Sequence, residues 1–76
     1  MTPVEKMIER AFAIGAEMIE AGNAGYIFLV DTKRGGRIET AFEEYHEDQG
    51  YLESMRPDEP ILLLVDEIVA ITVEAV

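Results

Sequence analysis

Cysteine is absent from the chain. Disulfide staples, thiolate nucleophiles and cysteine-based zinc or iron–sulfur sites are therefore excluded. Histidine and serine occur once each, as His46 and Ser54. No apolar run is longer than Ile61 to Val65, far short of the roughly 20 residues that a membrane helix needs. The start Met1-Thr2-Pro3-Val4-Glu5 has neither the basic residues nor the apolar stretch of a signal peptide. With the missing disulfides, this points to an intracellular, cytoplasmic setting. No repeat, low-complexity tract or linker is evident, and 76 residues are expected to form one domain, residues 1–76.

Positive charge is scarce in one half only. Residues 1–37 balance five acids against five bases, whereas residues 38–76 carry eleven acids and one base, Arg56. The net charge of −10 therefore lies entirely in the second half. Such a field repels nucleic acid and anionic membranes and attracts basic proteins. Its densest part runs from Glu39 to Glu59, where eight carboxylates stand among Phe42, Tyr45 and Tyr51.

About half of the residues are hydrophobic, as expected of a folded chain. Thr2-Pro3-Val4-Glu5 is a capping box with proline at the first helical position. Val4, Met7, Ile8, Ala11, Phe12, Gly15, Met18 and Ile19 then recur at helical spacing and form one apolar stripe. A helix is expected over residues 2–21, stopped by Gly22. Its stripe reads as a core face rather than a ligand groove. Gly15 within the stripe costs about 1 kcal/mol relative to alanine, which suggests a close approach by another backbone.

Tyr26 to Val30 is apolar at every position, as a central strand with both faces covered would be. Lys33-Arg34-Gly35-Gly36 reads as a turn into a returning strand from Arg37 to about Tyr45. From Thr40 to Gln49 two readings stand. Ile38, Thr40 and Phe42 alternate with Glu39, Ala41 and Glu43, which favours the strand; Thr40-Ala41-Phe42-Glu43 also fits a capping box that would open a short helix. In the strand case, Asp48-Gln49-Gly50 turns into a strand from Tyr51 to Met55. Pro57 to Pro60 reads as a loop, and Ile61 to Val65 as a buried strand. Asp66-Glu67 interrupts the apolar run before a last strand from Ile68 to Val73, which the β-branched residues favour. The fold class expected is α+β: an N-terminal amphipathic helix packed on an antiparallel sheet of four to five strands. The apolar last strand lacks a blunting proline or lysine, so it invites pairing with another chain, and a homodimer is expected.

Catalysis finds little support. Ser54 lies in no recognisable nucleophile motif, and a chain with one helix can hardly build the cleft that paired carboxylates need. No catalytic residue, cofactor or enzymatic activity is expected. Glu43, His46 and Glu47 would share a face on a helix, but dinuclear carboxylate sites draw such pairs from several helices. The calcium-loop series of oxygens is also missing, so no metal is expected. Lys33-Arg34-Gly35-Gly36-Arg37 superficially suggests anion binding, yet it leads into no phosphate loop and reads as a solvated turn.

Interaction is the function class that remains. Alternate strand residues stand about 6.6 Å apart on one face, so acids at those positions form a line of charge comparable with a nucleic-acid backbone. The expected partner-binding residues are Glu39, Phe42, Glu43, Glu44, Tyr45, Glu47, Asp48, Tyr51 and Glu53, with the aromatics as anchors. The chain is then a small acidic binding protein that blocks a basic, nucleic-acid-binding surface of a target protein without itself touching nucleic acid or membrane. In size and charge it is similar to small acidic inhibitors of phages and mobile elements, anti-CRISPR proteins among them. The alternative is an assembly subunit, in which the acidic half of one copy meets the Lys33-Arg34-Arg37 turn of the next and apolar edges pair.

Overall fold

The computed structural model describes residues 2–54 and 60–76. The chain begins with a helix, α1 (Pro3–Glu20), whose N-cap Thr2 accepts a hydrogen bond from the Glu5 amide at 3.2 Å. Its end is a Schellman motif: the Gly22 amide donates to the Ile19 carbonyl and the Asn23 amide to that of Met18. Gly22 takes a φ of 99°, a conformation that glycine adopts without a Cβ clash.

Six strands follow: β1 (Tyr26–Thr32), β2 (Arg37–Thr40), β3 (Glu44–His46), β4 (Tyr51–Ser54), β5 (Ile61–Leu64) and β6 (Ile68–Ala75). They form two three-stranded antiparallel sheets, ordered β2-β1-β6 and β3-β4-β5. The α+β class with a helix on a sheet thus holds, while the expected single sheet of four to five strands is replaced by two sheets and six strands among the described residues. The expected strand from Arg37 to Tyr45 breaks at residues 41–43, where Phe42 enters the core. The helical alternative for residues 40–49 does not form; β3 and a turn closed by the Gly50 amide on the His46 carbonyl occupy that segment. Gly50 has a φ of 75°, which suits it to this turn. The loop expected at Pro57 to Pro60 and the end of the strand at Met55 lie outside the described residues, Pro60 excepted.

β1 is the central strand that its apolar sequence implied, pairing Phe28 with Thr40 on one side and Val73 on the other. Its face bearing Phe28 and Val30 packs beneath Ile8 and Ala11 of the helix. Phe42, Leu52, Leu63, Val65 and Ile68 complete the same core, so both sheets and the helix share it. The tight approach at Gly15 is to a ring rather than to backbone: a Cβ there would fall 2.5 Å from Tyr26 Cζ.

The sheets are also joined by a buried polar contact, Thr40 Oγ1 to Ser54 Oγ at 3.0 Å. Each hydroxyl supplies the partner that the other needs away from water. Ser54→Ala should therefore cost about 1–3 kcal/mol, because Thr40 keeps a buried hydroxyl without its partner. Adding Thr40→Val should recover most of that loss in urea denaturation. A double variant no more stable than Ser54→Ala would refute the pairing.

Candidate functional site

β3, β4 and β5 are in simple antiparallel register, with Glu44 opposite Glu53, Tyr45 opposite Leu52, and His46 opposite Tyr51, which in turn faces Leu64. Glu53 faces Leu62 on its other side. Side chains alternate across a sheet, so Tyr45, Leu52 and Leu63 turn inward, and Glu44, His46, Tyr51, Glu53, Leu62 and Leu64 turn outward. Burial follows this division: Leu52 and Leu63 belong to the core, whereas Leu62 and Leu64 are 66% and 59% exposed. The second sheet therefore presents an outer face that is acidic along one side and apolar along the other.

The expected interaction residues divide accordingly. Glu44, Tyr51 and Glu53 lie on that outer face, and Glu43, Glu47 and Asp48 are exposed beside it. The Glu43 amide extends the β3–β4 ladder by donating to the Glu53 carbonyl at 3.0 Å. Tyr45 sits on the inner side, partly buried, where a groove of about 290 Å³ opens between the start of α1, the β3–β4 turn and Asp66. Burial pushes the Tyr45 phenol above its ordinary pKa, and the fields of Glu5, Glu47 and Glu9 push it further. Glu39 is exposed on β2, in the other sheet, paired with Leu29. Phe42 is 1% exposed and its ring lies 6.3 Å from that of Phe28. It is a core residue and presents no surface to a partner.

Three outward residues were not singled out as partner contacts in the sequence: His46, Leu62 and Leu64. The run Ile61 to Val65 is apolar throughout, so it carries no period-two contrast and reads as fully buried. Only pairing with β4 on one side, and no layer over the outer face among the described residues, separates Leu62 and Leu64 from Leu63. His46 became significant through register. Its Nε2 lies 2.8 Å from Glu53 Oε1 and 3.4 Å from Glu44 Oε2. Its ring stacks on Tyr51, with centroids 4.4 Å apart and planes 28° from parallel.

Three arginines are engaged elsewhere. Arg37 donates to Asp31 at 2.9 Å, which holds the Asp31 carboxyl below its ordinary pKa and raises that of the guanidinium. Arg34 stands 3.8 Å from Glu67, and Arg10 3.4 Å from Glu17. Among the described residues, no lysine or arginine forms an ion pair with Glu43, Glu44, Glu47, Asp48 or Glu53. No helix of the described residues is long and apolar enough to cross a membrane. Neither a protein family, nor a curated protein, nor a solved structure matches this chain.

Proposed function

We propose that the chain is a non-enzymatic binding protein that occupies a basic, nucleic-acid-binding surface of a target protein, as acidic anti-defence and anti-CRISPR inhibitors of phages do. The observation that supports this reading is the outer face of the second sheet: carboxylates without a lysine or arginine partner among the described residues flank the half-buried Tyr51 and the exposed Leu62 and Leu64. Apolar side chains bordered on one side by charge are in keeping with the apolar core and polar rim of protein interfaces. The charges steer a basic partner and fix its register, while the apolar strip supplies the desolvated contact. Capture of the target and its displacement by double-stranded DNA would test this. The captured protein should be a nucleic-acid binder that releases the chain as DNA or salt is added. A target whose capture is indifferent to both would sink the proposal.

A second reading, self-association, is favoured by β6. Among the described residues it lies at the edge of its sheet, with Val69 exposed on it and Val76 exposed just past its end. Unpaired edge amides and carbonyls of this kind template a second strand. We therefore propose a homodimer joined edge to edge, with sedimentation at tens of micromolar giving twice the chain mass. Proline at Ala75, an exposed position of β6 whose amide faces away from β1, should weaken that association if the edge is the joint. A monomer at every concentration excludes it.

A further inference from the structure

We infer that Glu44, His46 and Glu53 form a site for a divalent first-row transition-metal ion of the zinc class. Nothing in this inference depends on the proposed partner. Its basis is convergence. Nε2 of His46 and one oxygen from each carboxylate all lie within 4.8 Å of one another. Zinc holds imidazole nitrogen and carboxylate oxygen at about 2.0–2.2 Å, which places neighbouring ligands of one shell about 3.0–3.5 Å apart. Of the two contacts made by Nε2, the one at 3.4 Å falls within that spacing and the one at 2.8 Å lies just below it. Small rotations of the two glutamate side chains would admit the ion.

The backbone builds this arrangement. Glu44 and His46 are two residues apart on β3 and share its outer face, while Glu53 is the direct cross-strand neighbour of Glu44. Like charges placed opposite one another destabilise an antiparallel pair. Here both point at one nitrogen, which carries at most one proton and so satisfies at most one of them. A single divalent cation would relieve both carboxylates at once. The imidazole is already oriented by its stack on Tyr51, so little rotamer freedom remains to be lost on binding. One nitrogen with two carboxylates favours zinc, cobalt or manganese over magnesium and calcium, which prefer oxygen alone. The three ligands are 29%, 56% and 26% exposed for His46, Glu44 and Glu53. Remaining coordination positions therefore open towards solvent.

Calorimetric titration of the chelator-treated chain with Zn²⁺, in a weakly coordinating buffer containing millimolar Mg²⁺, tests the site. One ion per chain should bind with a micromolar dissociation constant. Affinity should fall at least tenfold in Glu53→Gln, which preserves shape and removes the charge. Stoichiometric binding should disappear in His46→Ala and persist in Glu47→Gln, which lies outside the trio. Circular dichroism of each variant confirms that it is folded. With Co²⁺, the wild-type chain should develop a visible absorption band that His46→Ala lacks. Weak binding of several ions, suppressed by Mg²⁺ or unchanged in His46→Ala, would overturn the assignment and leave only a diffuse acidic surface.

Discussion

Replacing Phe42 by alanine should lower the unfolding free energy by about 3–5 kcal/mol, the usual cost of emptying a buried aromatic site. Phe42 is 1% exposed and stands at the junction of the two sheets, with the Phe28 ring as its neighbour. A 76-residue domain has a total stability of roughly 4–11 kcal/mol on ordinary scaling. The variant therefore loses a large part of its stability, and its urea midpoint should drop accordingly. Leu64→Ala is the control, since an exposed side chain has little burial to lose and should change stability by about 0.5 kcal/mol or less. The contrast separates the anchor role expected of Phe42 from the sequence from the core role that its burial gives it. If Phe42 were a partner anchor, its removal would impair capture and leave the midpoint near that of the wild type. That result would contradict the buried placement.

Neutralising Glu43, Glu47 and Asp48 together, as Gln, Gln and Asn, should slow association with the basic target at least tenfold at low salt. These three are exposed and lie outside the Glu44–His46–Glu53 trio, so the variant leaves the inferred metal site intact. Electrostatic steering changes association rates by about 10–10³. The Debye length shortens from about 30 Å at 0.01 M salt to about 8 Å at 0.15 M. The difference between variant and wild type should therefore shrink as salt rises, with dissociation less affected. Stopped-flow mixing across that range gives both slopes. Equal rates at low salt would show that the acids serve solubility rather than capture.

The proposed interaction surface was legible in composition but not in membership. Eight acids between residues 39 and 59 mark the segment, and Glu43, Glu44, Glu47, Asp48, Tyr51 and Glu53 do lie on or beside one exposed face. Phe42 departed because it follows Ile38 and Thr40 on the face that turns inward, where its ring enters the shared core. Glu39 departed because a break in the expected strand sends its two halves to different sheets. Leu62 and Leu64 joined because an apolar run does not reveal which of its faces another layer covers. His46 illustrates the same limit: helical spacing groups it with Glu43 and Glu47, whereas strand register groups it with Glu44 and Glu53.

What the sequence determined alone is what depends on near neighbours. The helix, its threonine cap and its glycine stop follow from residues within a turn of one another, and the charge asymmetry follows from counting. That Tyr26 to Val30 form a strand follows from five apolar, mostly β-favouring residues in a row, whereas its central place follows from pairing on both sides. Tertiary structure decided the division into two sheets, the outward turn of Leu62 and Leu64, and the meeting of His46 with two carboxylates. Each of these depends on which strand pairs with which and in what register. A shift of one residue moves every side chain to the opposite face, and contacts far apart in the chain fix that choice.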